Sequence, residues 1–478
     1  MGAPAAQYSR YMGAKGVPPR SVGRSTIVAI GPWLFTIAAL ILITQLGIGY
    51  TGRTVMADFR AMLIYGFSIS LVAAAPVVIV MSRLLSDVVF EPNQAPISIS
   101  LVPALGISFA ASAGMAVVAG HVAGLPTLPL AALAYATGLV GVIWIGVAAT
   151  GVLRDFRAIT FIFLLGLACS VAAALTAAAH GADAAGMTVA FSIGTAVIAV
   201  SLVFRTMIYV RDPAFEFVQS VRNFAKSMSR YWIVSVGAFC GVLALWIDKW
   251  IIWLGPAGER VSIGLVHSPA YDGASFVASL TMIPGLALFV GALDRDYVSI
   301  YRRYYSAIAA HSSLDEIAVR QRQLQQATLT LIENIFVRQA TIATIVVFTA
   351  PLIVSLARLP FSSVGVLRLC AMAVLFQLIF LAATSLLLFF ARYRAYCLLQ
   401  VLFLALTALG TTINLHFDPS VYGFGLLVAA VFSGAAAYVV VCRAVGDLDY
   451  LTFIDGAIRM QSESNVRLRK QQQSSFNF

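Results

Sequence analysis

Between Trp246 and Asp294 a few charged side chains stand in an otherwise apolar stretch. Asp248 and Lys249 are adjacent near the end of one apolar segment, and a loop with Glu259, Arg260 and Asp272 follows. The next segment is interrupted by Pro284-Gly285 and stops at Asp294. An ionisable residue at membrane depth costs roughly 2.5–3.5 kcal/mol on insertion scales, so such residues persist where they have a role. Charges beside a helix breaker suit a transport path lined by discontinuous helices. Adjacent helical residues point about 100° apart, so Asp248 and Lys249 cannot face each other and at most one faces a cleft, with Asp248 the candidate. The alternative is an interfacial pair with its heads among lipid headgroups.

Trp246, Trp250 and Trp253 follow i, i+4, i+7 spacing and share one helix face. That face is either an outer aromatic belt or a stacking surface for sugar rings. Tyr271, Asp272 and Asp294 join Asp248, Lys249 and Trp250 as candidates for the path, with Pro284-Gly285 as a flexing point. Pro76, Arg83 and Asp87 form a second set. Arg83 and Asp87 are four apart and can pair at the end of the second apolar segment, fixing the helix end or gating it. Proline-to-aspartate spacing is 11 from Pro76 to Asp87 and 10 from Pro284 to Asp294. This hints at a repeat of two parallel halves.

The elements that position these residues are membrane spans. Of 478 residues, 60% are hydrophobic and 11% charged, with a mean hydropathy of +0.91. A soluble chain of this size needs far more charge to cover its surface. Twelve apolar segments of about 20 residues or slightly fewer can cross a bilayer. They are 27–50, 61–84, 98–120, 128–152, 160–179, 187–209, 231–254, 274–293, 340–357, 365–390, 396–415 and 423–442. The expected architecture is all-α and polytopic, in two six-helix bundles (27–210 and 231–442). With the N-terminus cytoplasmic, 25 of the 31 Lys and Arg residues fall on the cytoplasmic side. The positive-inside rule therefore gives N-in, C-in, and it explains the net charge of +11 better than nucleic-acid binding does.

The polar residues 1–26 form a cytoplasmic tail, and the apolar run that follows exceeds a signal-peptide core, so it reads as an uncleaved first span. Residues 211–230 link the halves as a helix in the headgroup plane, with Phe215, Val218, Val221 and Phe224 at helical spacing. Residues 294–339 form a cytoplasmic insertion. Ser313 to Glu316 reads as a capping box, and Leu314, Ile317, Leu324, Leu331 and Ile335 follow near heptad spacing. It is either a solvated extension packed on the bundle or a docking surface. The tail 443–478 starts helically and ends in a Gln/Ser-rich stretch. The five cysteines form no CxxC pair and read as packing residues, so neither metal nor cofactor is expected. Walker A, HExxH and GxSxG motifs do not occur, which argues against an enzyme.

Several runs together resemble the Pel exopolysaccharide transport proteins, the PelG family. They are IGPWLFTIAAL at 30–40, DKWIIWLGPAGE at 248–259, SPAYDGASFVASLTMIPGLALF at 268–289, DRDYVSIYRRYYSAI at 294–308 and LDYLTF at 448–453. The family usually opens with a charged GIGFELR-type segment, where this chain has a tail containing PPRSVGRS. The resemblance implies a MATE-like, flippase-type fold of two bundles around a central cleft. It also implies movement of a GalNAc-rich polymer across the inner membrane during biofilm formation, with a PelF-like cytoplasmic glycosyltransferase and PelD-like and PelE-like membrane proteins as partners. A cation-coupled small-molecule antiporter is the alternative on the same fold, although the first six spans carry no central carboxylate. A scaffold that assembles a polysaccharide synthase without transporting is the other.

Overall fold

The computed structural model describes residues 22–90, 98–153, 155–209 and 217–448. Most of the tail 1–26, the start of the linker including Phe215, and the tail from 449 onward lie outside them. Helices α1 to α5 are Val22–Phe90, Ser98–Val122, Thr127–Val152, Phe156–Ala179 and Ala184–Tyr209. As one rod, α1 would run roughly 100 Å, about three times the thickness of a bilayer's hydrocarbon core. Gly52 breaks it, with a positive φ of 81° and ψ of 173° that only glycine adopts without strain. The arms 22–51 (α1a) and 53–90 (α1b) are therefore separate spans.

The second half opens with α6 (Phe217–Arg230), which meets α7 (Trp232–Ala244) at a 76° bend. Val218 and Val221 of α6 are exposed, while Phe224 is buried against α1b, so the apolar residues are shared between two faces. Then come α8 (Ile247–Trp253), a two-stranded hairpin of β1 (Glu259–Arg260) and β2 (Val266–His267), α9 (Pro269–Leu280) and α10 (Met282–Ala292). A π-helical turn (Leu293–Tyr297) leads to α11 (Val298–Ala309), α12 (Leu314–Leu356), α13 (Ser363–Phe389), α14 (Tyr393–Asn414) and α15 (Phe424–Gly446). Among the described residues ten helices are long and apolar enough to cross a membrane, or eleven with the bent pair. Counting the two arms of α1 separately brings the number to the expected twelve.

Of the two helix breaks in the second half, one has a local cause in the sequence. Pro284 has no N–H to give the carbonyl of Leu280, four residues earlier, and its ring crowds that carbonyl. The helix accordingly parts at Thr281, not at Pro284-Gly285 where the sequence placed the break. Asp272 was expected in a loop, but it lies in the first turn of α9, because the helix starts early with Pro269 at its first position. The other break falls at Leu245-Trp246 and had no signal in the sequence.

From Leu314 the chain runs into the ninth span as the single 43-residue helix α12. Ser313 accepts from the Glu316 N–H at 3.3 Å, as its capping position requires. Ile317, Leu324, Leu331 and Ile335 are buried with Tyr297, Tyr301, Tyr304 and Tyr305, while Leu314 is exposed. The extension thus packs on the bundle.

Helix pairs approach closely where glycines meet, as in other membrane bundles. Gly194 of α5 stands against the Gly166 carbonyl and Ser170 of α4, leaving no room for a Cβ. Replacing Gly194 with Leu should separate α4 from α5 at a cost of roughly 1–3 kcal/mol or more. The expected readout is a lower unfolding temperature in detergent, whereas Gly114→Leu, with open space around it, should leave the temperature unchanged.

Candidate functional site: an outer strap and an inner clasp

The loop between α8 and α9 does not stay with its own half. Its hairpin crosses to the first half on the side opposite the positively charged tails, here called the outer side. Asp58 of α1b, buried at 4% exposure, accepts from the Ser262 hydroxyl and from the Ile263 N–H at 3.3 Å. The Tyr65 hydroxyl donates to the Val266 carbonyl at 2.8 Å and accepts from the Val266 N–H at 3.3 Å. Trp250, Val261 and Ile263 pack against the core of the first half. Together these contacts make a strap across the two halves.

The strap is anchored by the residues singled out in the sequence. Trp253 donates to both Asp272 oxygens, at 2.8 and 3.0 Å, and its ring stacks on Tyr65 at 4.8 Å and 19°. Asp272 also accepts from the Ser268 N–H at 2.9 Å, so it caps α9 while holding the tryptophan. Asp248 is fully buried and accepts from the Tyr271 hydroxyl at 2.7 Å and from the Lys249 ammonium at 3.0 Å. The expectation that Asp248 and Lys249 cannot face each other is therefore corrected. The helix begins only at Ile247, and the long lysine side chain folds back instead of following its own helix face. It also reaches the Leu245 carbonyl at 3.2 Å and lies 5.6 Å from the centre of the Trp246 ring. The aromatic-belt reading is corrected as well, because Trp253 is buried and Trp250 packs across the halves.

At the inner side the halves meet again. The Arg83 guanidinium donates to the Leu388 carbonyl at 3.1 Å and lies 5.5 Å above the Tyr393 ring. The Ser235 hydroxyl donates to the Pro76 carbonyl at 2.9 Å. The side chains of Asp87 and Asp294 lie outside the described residues, so the Arg83–Asp87 pair is not described. Pro284 is exposed, while Gly285 is buried where a Cβ would strike Gln339 and Leu378. Gln339, itself buried, donates to the Thr281 carbonyl at 3.1 Å and satisfies an acceptor at the break. Among the described residues no group of His, Cys, Asp or Glu has the geometry to hold a metal ion.

Sequence reasoning set Asp58 aside, because its loop is too short for a sugar-transfer site, and passed over Tyr65 and Ser262. Asp58 carried one signal, being the first carboxylate in the chain, but its partner lies 204 residues away, beyond any local pattern.

A hydrogen bond to a charged group contributes roughly 1.5–3 kcal/mol, about one to two decades in an opening equilibrium. Asp58→Asn should therefore speed hydrogen exchange at Ile263 and Val266 by about tenfold or more, with exchange in α13 unchanged. The strap should also loosen in acid. Partial burial lowers the His267 pKa, with Arg60 adding to the shift and Glu259 opposing it. A depressed base binds more protons when released, so its stabilising effect is present above pH about 6.5 and is lost as pH falls through the folded pKa. After division by the intrinsic exchange rate, which itself falls with pH, the opening constant of the hairpin should rise between pH 7.5 and 5.5, and His267→Asn should flatten that rise.

The fold is that of known transporters. A MATE transporter in the straight conformation superposes with a TM-score of 0.60 at 13% identity, over 91% of this chain and 98% of that one. A MOP-superfamily transporter from Pyrococcus furiosus gives 0.62 at 11% identity, over 94% and 97%. The Vibrio cholerae MATE transporter VcmN in its bent form gives 0.59 at 14%, over 90% and 98%. No curated protein matches in sequence. The profile described as "PelG: Putative exopolysaccharide Exporter (EPS-E)" matches residues 19–453. The chain thus belongs to the PelG family and is a multi-pass membrane transporter of exopolysaccharide.

Proposed function

We propose that this chain passes a Pel-type, GalNAc-rich polymer between its two halves, with the strap as outer gate and the Arg83 clasp as inner gate. The observation that carries this reading is the strap itself. A hairpin from one half is held on the other by a few polar bonds, which can be exchanged for water when the halves part, and by a small apolar seat under Val261, Ile263 and Leu265. The breaks at Leu245-Trp246 and at Thr281 flank α8 and α9, so the strap and its anchors can tilt as a unit while the rest of α7 and α10 stays packed. In this reading Asp248, Lys249, Tyr271, Asp272 and Trp250 serve the path by holding the gate's anchor, and Arg83 and Pro76 serve the opposite end. Gly285, with Pro284, lets α10 approach α12 closely beside the flexing point, and Asp87 and Asp294 are carried as candidates at the inner ends of their helices. A polymer has to slide, so its contacts must be weak and repeated.

A cytoplasmic glycosyltransferase of the PelF type would supply the polymer, with PelD-like and PelE-like proteins beside it in the inner membrane. The exposed apolar residues Leu314 and Val319 on the extension of α12 support docking of such a partner.

The test is reconstitution of the chain with its synthase partners in liposomes supplied with UDP-GalNAc outside, scoring polymer protected from an added glycosidase. Wild type should yield protected polymer. Asp248→Asn with Asp272→Asn should reduce it at least about fivefold, the effect of roughly 1 kcal/mol on a two-state gate. Polymer made but left wholly outside would favour the scaffold, and unchanged protection in the double variant would remove these residues from the gate.

A further inference from the structure

A cavity of about 850 Å³ lies at the end of the second half that the positive-inside rule assigns to the cytoplasm. One wall is the end of α10, the π-helical turn and α11, with Ala287, Gly291 and Tyr297. The other is the extension of α12. Gln323, Gln326, Thr330 and Asn334 line it in steps of three, four and four residues, so they form one polar ladder. At 1.5 Å per residue the ladder is roughly 16 Å long. Leu331 and Ile335 lie beside it, and Arg303 and Arg338 also border the cavity.

Three features mark this as a built site. The ladder ends just before the membrane-spanning part of α12 and runs alongside Ala287 and Leu288, which belong to a spanning helix. The four ladder side chains are exposed, so the cavity is open to water along this face. A π-helical turn, a rare element often found at functional positions, supplies Asp296 and Tyr297 to the wall. The Tyr297 hydroxyl is bonded to Thr328 at 3.0 Å, which fixes the aromatic ring in place. Finally, α10 also packs on α1 of the first half, so the cavity flanks the seam at which the halves would part.

We propose that this cavity is the cytoplasmic loading port for a neutral, hydroxyl-rich oligosaccharide; this deepens the polysaccharide-transport reading and rests on it. Amides and a hydroxyl both donate and accept, which matches the mixed donors and acceptors of sugar hydroxyls. Spread along about 16 Å of helix, they suit an extended chain of rings rather than one compact phosphate. Each ladder contact is single and uncharged, with Asp296, Arg303 and Arg338 at the border of the cavity, so the chain is held weakly enough to move on.

The test is cysteine protection on the full-length protein in nanodiscs. Thr330→Cys is labelled with a maleimide, the parent chain's labelling is subtracted, and chitotetraose or pyrophosphate is added at millimolar concentration. Chitotetraose should slow labelling about threefold, as expected at twice a millimolar Kd, and pyrophosphate should not. Adding Asn334→Ala should remove the protection. Thr330→Trp, which fills open space and leaves the packing intact, should cut polymer export in liposomes. If Thr330→Cys does not fold, Gln326→Cys serves in its place. Absence of protection by chitotetraose, or protection by pyrophosphate alone, overturns the proposal. Wild-type vesicles that export no polymer would defeat the transport reading, and the labelling result would still decide the cavity.

Discussion

A broken helix in a bilayer has no water to satisfy the carbonyls it frees, so the protein must supply the donors. That constraint organises the second half. The Lys249 ammonium meets the Leu245 carbonyl at one break, and the Gln339 amide meets the Thr281 carbonyl at the other. A lysine placed there needs a counter-charge, which Asp248 provides from a fully buried position. Removing one partner of a buried pair costs roughly 3–5 kcal/mol, because it strands the other charge. The Tyr271 hydroxyl adds a further bond, to the same Oδ2 that the lysine meets. The polar cluster is therefore a consequence of breaking two helices inside an apolar bundle.

The breaks free a short unit, α8 to α9 with its hairpin, from the continuous helices on either side. Trp253 connects that unit to both halves, through Asp272 on its own side and through the Tyr65 ring on the other. The outer contact thus combines stacked rings with charge-assisted bonds. The inner contact rests on an arginine, a carbonyl and a tyrosine ring. Each end adds local polar bonds to apolar contacts, since Leu265, Val261 and Ile263 join the first half's core and Phe224 and Tyr231 pack on α1b. A fold built this way keeps each bundle rigid and concentrates change at the seam, which is what a transporter of a long polymer needs.

Much of this was legible in the residues. Hydropathy and the distribution of arginine and lysine gave the spans, because burial in lipid and insertion charge bias act on local stretches. The rarity of Asp248, Lys249 and Asp272 in apolar surroundings pointed to the stretch that carries the strap and its anchors. Their partners were not legible. Trp253 looked like part of a belt because helical spacing reports which residues share a face and says nothing of what that face meets. Asp58 and Tyr65 meet residues some 200 positions away, through a tertiary contact that no window of sequence contains. The break at Leu245-Trp246 had no proline or glycine to announce it, whereas Pro284 announced its break about three residues downstream of where it falls.

The central claim is that the strap must release for polymer to pass. The most direct measurement is export from liposomes by a chain carrying Asp58→Cys and Ser262→Cys, joined by a short reducible cross-linker. The account predicts export reduced to background in the cross-linked protein and restored by reduction, with neither single variant responding to the reagent. Export by the cross-linked protein at the rate of the reduced one would contradict it.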